Sequence, residues 1–339
     1  MRLVSWHISK IAARVMSSLF IFASPLIWAD ARLEEIIVVS EKRSESLQDL
    51  SQAVTAISGD DLDAKNIVSF VDLSAIAPGV TVAKNEGYKT VISIRGVGNE
   101  TNQNAIAAPS VAFHMDGIFI ASPFSLQTDF IDVDRIEILR GPQGTLFGQN
   151  STGGAINVIS KKPSFELFSG KADATIGDNG LAKGRASFNI PVSDSVATRA
   201  SLTVTERDGY STNIHTGQEL DDASHISFRT DWLFEVTDSS ELRVFAQYFD
   251  ASNNGAAIKG IDDPTTDPRR LSQETVSDYE LTSKIFAGIF EVDMGFATLK
   301  PSASFKEDEI MVVRDNDRHN FGMVWNPSLN DYPAGSPYA

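Results

Sequence analysis

The sequence predicts an α+β unit followed by antiparallel transmembrane β-barrel strands, and three observations carry that reading. Beyond Pro163 apolar and polar residues alternate with period two, the pattern of strands that have one apolar face. The connectors between these segments run short, then long, as in outer-membrane barrels with tight turns at one end and long loops at the other. The first thirty residues read as an export signal, and no later stretch is apolar enough for a membrane-crossing helix. An exported chain that enters a membrane must then do so as a barrel, the only other structure that satisfies its backbone in lipid.

The signal has a positive start at Arg2, Lys10 and Arg14, then an apolar run over 15–28. Ala29, Asp30 and Ala31 offer a small-x-small cleavage site, so residues 1–29 are expected to leave, with Ala31 as a second cut position. The 339 residues carry 29 Lys and Arg against 45 Asp and Glu, a net charge of −16. That balance, with no basic stripe, argues against a nucleic-acid partner. With no cysteine there is neither thiolate chemistry nor a disulfide framework.

Four consecutive β-formers, Ile36 to Val39, then sit inside charged sequence with no local core to enter. They read either as an edge strand of the next domain or as a peptide that adds to a partner's exposed sheet edge. Residues 47–162 read as a compact α+β unit. Ala53 to Ser58 is expected as a strand, Asp60 to Asn66 and Phe70 to Ile76 as short helices. Ser69 and Asp72 form a capping box, and Pro78 with Gly79 ends the second helix. Thr90 to Arg95 alternates and stops at Gly96, and Ser110 to Ala121 reads as strand with a turn at Asp116 and Gly117. A short helix is expected near Asp132.

About seven strands are expected over 163–339. In Leu181 to Val192 the apolar set Ala182, Gly184, Ala186, Phe188, Ile190 and Val192 alternates with Lys183, Arg185, Ser187 and Asn189. Val196 to Thr205, His225 to Thr237, Glu241 to Asp250 and Ala297 to Lys306 repeat the pattern; Phe165 to Ile176 and Leu281 to Val292 do so less cleanly. Tight turns fall at 193–195, 238–240 and around Met294 and Gly295. Long polar loops fall at 208–224 and 251–279. The 177–180 connector belongs to the long-loop side yet is short. Tyr210, Trp232, Tyr248 and Phe249 fit interfacial girdles.

The densest signal is Arg135 to Gly148, followed by Gln149 to Ser160. It reads as a strand built on Ile136, Ile138 and Leu139, a turn in which Gly141, Gly144 and Gly148 take conformations other residues avoid, and a second strand. The glycine spacing is not G-x-G-x-x-G, no Walker lysine is present, and a strand follows, which excludes a nucleotide cradle. Neither G-x-S-x-G nor H-E-x-x-H occurs, and His114, His215, His225 and His319 are scattered. Asp262, Asp263 and Asp267 could gather a divalent cation, although a solvated acidic loop is the plainer reading. No enzyme, cofactor or resident metal is expected.

Arg135 to Gly148 closely resembles the central motif of the plug domain of TonB-dependent outer-membrane receptors. The resemblance extends over Ile94 to Gly96, Asp116 with Gly117, Val133 to Gly148 and Gly153 to Ser160. It implies an α+β plug domain at 47–162 lodged in a large barrel of the Gram-negative outer membrane. Arg95, Gly96, Arg135, Glu137, Arg140, Gly141, Gly144, Gly148, Gly153 and Gly154 would be its motif residues. Glu34, Glu35, Ile36, Ile37, Val38, Val39 and Ser40 resemble the family's TonB box, placing a TonB-binding tether at 30–46. The implied activity is energised uptake of a scarce extracellular ligand. Ferric siderophores are the commonest in the family, with cobalamin, oligosaccharides and other metal chelates as alternatives. A passive porin or adhesin-type barrel is the rival class. The mildly acidic loops weigh against a strongly anionic ligand. By the same resemblance Arg95 and Arg140 would face carboxylates on the inner barrel wall.

The barrel is expected to be incomplete in this chain. A plugged transporter uses about 22 strands of roughly 9–11 residues each, more than the residues after 163 supply once loops are subtracted. The last residues, 326–339, are loop-like, where the family ends in a strand closing on an aromatic residue. The chain is therefore expected to be a fragment or a truncated product.

Overall fold

A computed structural model describes residues 53–65, 67, 69–85, 89–98, 109–122, 130, 132–260, 263–315 and 318, with the backbone of 37–38 and 45–46. Two short strands open it. β1 (Ile37–Val38) pairs antiparallel with β2 (Glu45–Ser46). Glu34, Glu35, Ile36, Val39 and Ser40 of the box lie outside the described residues.

The α+β unit follows. β3 (Val54–Ser58) leads into α1 (Gly59–Ala64), whose N-cap Ser58 accepts from the Asp61 amide at 3.1 Å. A 3₁₀ turn covers Val71–Ala75. Ahead of it the Asp72 carboxylate takes the Ser69 amide and hydroxyl at 2.9 and 2.8 Å, the reach-back arm of the expected capping box. β4 (Val80–Asn85), β5 (Lys89–Ile94) and β6 (Val97–Gly98) form a small antiparallel sheet. β4 was not foreseen, because Pro78 and Gly79 read only as a helix stop. β7 (Val111–Met115), β8 (Ile118–Phe119), β9 (Val133–Arg140) and β10 (Gly154–Ser160) join β3 in a five-stranded sheet of order β3-β9-β10-β7-β8. One ladder in it is parallel, β10 to β7. The helix expected near Asp132 is absent among the described residues. Asp132 instead takes a left-handed turn (φ 51) and β9 starts at the next residue.

The wall that follows is one antiparallel sheet. Its long strands are β11 (Ser169–Ile176), β12 (Ala182–Ser193), β13 (Val196–Arg207), β16 (Ala223–Thr237), β17 (Ser240–Asn253), β19 (Asp278–Asp293) and β21 (Ser302–Val313). They pair in sequence order, with the two-residue β20 (Thr298–Leu299) also on β19. Among the described residues the sheet does not close: β11 has only β12 beside it, and β21 only β19. The seventh strand falls at 302–313 rather than 297–306. Pro301 has no amide to donate and separates β20 from β21, so the regular ladder begins beyond it.

The alternation has an inverted sense. Odd-numbered inner positions such as Asn189, Thr203, Ser227, Arg229 and Asp231 are buried, while Phe188, Ile190, Leu202, Phe228 and Phe286 face outward and exposed. A soluble sheet would bury the apolar set; a wall with lipid outside exposes it. Inner apolar residues occur where the α+β unit abuts the wall. Phe245, Ile285, Ala287 and Ile289 share one core with Ile57, Phe70, Ile136, Ile138 and Ile156. Phe249 also points inward, 2% exposed, so of the expected girdle aromatics it is misassigned, whereas Tyr248 faces out.

The long loops, 208–222 and 254–277, are not plain coil. β14 (Ser211–Asn213) pairs with β15 (Glu219–Leu220), and β18 (Arg270–Leu271) joins β14 in parallel, tying the loops together. Asn213 is buried in that seam and donates to the Gln273 carbonyl at 2.9 Å.

Candidate functional site

Three pieces of geometry bear on function: the glycine motif, the ionic contacts between the α+β unit and the wall, and a cavity at the long-loop end.

In the motif, Ile136 and Ile138 are fully buried in the shared core, while Leu139 packs with Ala112, Phe147 and Ala155 on the other face. Glu137, fully buried, accepts from Arg135 Nε at 2.9 Å and from Asn157 Nδ2 at 3.4 Å. β9 then turns through Gly141 (φ 90), a one-turn helix α2 (Gly144–Phe147) and Gly148 (φ 74) into β10. Gly144 departs from expectation. It has neither a positive φ nor a neighbour within 4 Å of a Cβ, so nothing in its backbone demands glycine. Gly154 is the demanding position: its φ is 147 and an added Cβ would stand 2.2 Å from the Leu139 carbonyl oxygen. An added Cβ at Gly153 would stand 2.9 Å from the Val97 carbonyl oxygen, so β6 approaches the motif closely here.

The most buried ionic contacts put the carboxylate on the α+β unit and the cation on the wall, while the more exposed Lys162–Glu241 pair at 2.6 Å has the opposite sense. The strongest is at the Asp116–Gly117 turn, where φ of 51 and 83 make the tight hairpin expected between β7 and β8. Asp116 Oδ2 meets Arg229 Nη2 at 2.7 Å, and Oδ1 meets Arg243 Nη1 at 3.3 Å. Asp231 completes the set, 3.0 Å from Arg229 and 2.5 Å from Arg243. Ser160 adds its amide at 2.9 Å and its hydroxyl at 3.0 Å to Asp116, and Arg229 lies 4.1 Å over the Phe245 ring. All four charged side chains are 6% exposed or less. Burial alone would raise the Asp116 carboxyl, but Arg229, Arg243 and the Ser160 hydrogen bonds hold it below the ordinary carboxylate range. Removing one member of such a set leaves an uncompensated buried charge, at a cost of about 3–5 kcal/mol.

A second contact joins Asp132 to Arg199 through two guanidinium nitrogens and to the Ser201 hydroxyl at 3.0 Å. A third, more exposed, joins Asp63 to Lys171 and to Arg185 at 3.6 Å, with Arg185 also 2.9 Å from Asp173. Sequence reasoning placed none of these roles. Asp116 was explained by its turn, and Arg199, Arg229 and Asp231 counted only as the polar half of an alternation. A usable signal was present, since Arg229 and Asp231 are opposite charges two apart on one strand face.

The carboxylate partners expected for Arg95 and Arg140 fall on barrel strands that the sequence does not identify. Among the described residues neither meets a carboxylate. Arg95 occupies a left-handed turn with Gly96 (φ 53 and 78), and Arg140 has its Nε buried with no hydrogen-bond partner.

At the long-loop end lies a cavity of 380 Å³ between the 3₁₀ turn, the upper rungs of the wall and the loops. Its charged lining holds Lys84, Lys183, Arg185 and Arg207 against Asp72, Asp221 and Asp222. Tyr210, also in the lining, stands between Arg207 at 5.1 Å and Arg269 at 4.4 Å. In the nearby loop Asp263 is not a solvated residue. Its buried carboxylate accepts from the Thr265 amide and hydroxyl and the Ser272 amide, at 2.5–2.8 Å, and stands 3.7 Å from Lys259. These contacts occupy it with loop structure, and Asp262 lies outside the described residues.

Residues 46–155 match the TonB-dependent receptor plug domain. The pesticin receptor of Yersinia pestis is 30% identical over 130 residues, which are 38% of this chain and 19% of that protein. The ferric enterobactin receptor PirA of Pseudomonas aeruginosa is 25% identical over 319 residues, covering 78% of this chain and 42% of its own length. The ferric yersiniabactin uptake receptor FyuA of Yersinia pestis has the same fold, with a TM-score of 0.66 at 19% identity over 76% of this chain and 41% of that one. The chain thus spans between one fifth and two fifths of these relatives. Motif, inverted wall and family match agree: residues 46–155 are matched as a TonB-dependent receptor plug domain, and the chain with its wall strands is similar to outer-membrane receptors of that kind.

Proposed function

We propose that this chain supplies the plug and the first wall of an energised receptor that takes up a ferric siderophore or a related iron chelate. The observation that carries it is the plug's placement: its charged turn at Asp116 is clasped by Arg229 and Arg243 of the inner wall. A passive porin has no use for a folded unit locked across its lumen. The relatives named for iron chelates favour that class, and the lining of the 380 Å³ cavity at the long-loop end, the vestibule on this reading, agrees. Four of its charged residues are cations against three carboxylates, so the acidic composition of the loops does not set the charge at the cavity. The test is a growth screen in an iron-starved host, with ferric enterobactin, ferric yersiniabactin, ferripyoverdine, cobalamin and oligosaccharides offered singly. Growth restored by a ferric chelate supports the reading; response to cobalamin or a sugar alone contradicts it.

On this reading Glu34, Glu35, Ile36, Ile37, Val38, Val39 and Ser40 form the segment that TonB takes as an added strand. The strand geometry of Ile37 and Val38 is compatible with such pairing. Arg95 and Arg140 face carboxylates on wall strands beyond those described, and the unpartnered Nε of Arg140 supports this. Arg140→Ala should then increase proteolytic clipping of the plug in a complete receptor and slow uptake. Unchanged clipping and uptake in Arg95→Ala and Arg140→Ala would make both ordinary surface charge.

A further inference from the structure

Below the vestibule lies a second cavity of 220 Å³, also between plug and wall, and one residue borders both. The strand register orders them. Thr175, Lys183 and Thr205 form one rung across β11, β12 and β13, and all three line the vestibule. Asp173, Arg185 and Thr203 form the next inner rung. Lys171 and Ser187 belong to the rung after that and line the inner cavity. Arg185 therefore stands at the boundary, reaching Asp63 of the plug at 3.6 Å while Asp173 steadies it from the wall.

The two sides of the plug are held differently. Toward β16–β19 it shares a hydrophobic core with the wall and the fully buried Asp116 set. Toward β12 the contact is an ion pair of partly exposed side chains, with Arg185 22% and Asp63 35% exposed. Exposed pairs hold weakly and buried ones resist separation.

We propose that Arg185 is the partition between the vestibule and this inner chamber, and that the way past the plug opens along β11 and β12 while the β13–β19 side, where Asp132 holds Arg199 and Asp116 holds Arg229 and Arg243, stays anchored. The proposal rests on the plugged-receptor reading. Arg185 acts by position, closing the gap through Asp63 and Asp173, and its release joins the two cavities.

These 339 residues hold no cysteine, so in a complete receptor whose remaining residues are also cysteine-free each single-cysteine variant reports one position. Ser187 lines the inner chamber, and Ser283, 3% exposed on β19, faces the plug on the anchored side. Ser187→Cys and Ser283→Cys would be labelled with a membrane-impermeant maleimide from outside cells that display a complete receptor carrying these residues. Adding Arg185→Ala should raise the labelling rate of Ser187→Cys at least about tenfold and leave Ser283→Cys unchanged, while Arg185→Lys should stay near the starting rate. Asp63→Asn removes the plug's half of the contact, should give the same selective rise, and decides the matter if Arg185→Ala does not assemble. An unchanged Ser187→Cys rate overturns the proposal. So does an equal rise at Ser283→Cys, which would mean general loosening. Fast labelling of Ser187→Cys in the otherwise unaltered receptor would overturn the plugged-receptor reading itself.

Discussion

Asp116→Ala is expected to free the plug. The substitution leaves Arg229 and Arg243 buried with only Asp231 between them, a cost of about 3–5 kcal/mol. The expected result is a receptor that still inserts but whose plug is readily digested, with increased leakage of small solutes through the pore. Because the wall strands keep their own ladders, heat-modifiable migration of the barrel should persist. The same contact sets a pH limit. The Asp116 carboxyl is held below its ordinary value of 3.8, so its contribution is complete above that pH and is lost as pH falls through the lower folded value. Plug retention should be flat from neutral pH to about 4 and fail only in stronger acid. Plug protection unchanged in Asp116→Ala would show that the clasp is not what holds the domain.

Ile37→Pro is expected to abolish energised uptake without touching the vestibule. Proline removes a backbone donor and fixes φ, so the segment no longer adds cleanly to a sheet edge. Surface binding of ligand should match the unaltered receptor, whereas crosslinking to TonB and uptake should fall to the level of a TonB-deficient host. Normal uptake in this variant would remove residues 34–40 from the energising contact.

The wall was legible because period-two alternation is a local property, and six of the seven long strands overlap their expected spans closely. Its seventh strand was displaced because β19 and β20 keep pairing up to Pro301 before the last ladder begins. The turn at Asp116 was legible for the same local reason. Its role was not, since Arg229 and Arg243 lie more than a hundred residues away and only the tertiary fold brings them in. The tie between the long loops escaped notice as well. Two- and three-residue strands have no periodicity, and the parallel pairing of Thr212 and Asn213 with Arg270 and Leu271 is non-local. Gly144 and Gly154 look alike in sequence; the positive φ of Gly154 and the closeness of the Leu139 carbonyl separate the required glycine from the replaceable one.

The central claim is that this plug is moved by an external energy source. The direct measurement is uptake of the iron-labelled chelate selected by the growth screen, in cells carrying the complete receptor, with and without a proton uncoupler. The account predicts that uncoupling reduces uptake to the level of a TonB-deficient host while surface binding stays constant. Uptake that continues at the same rate after uncoupling would contradict it and identify a passive pore.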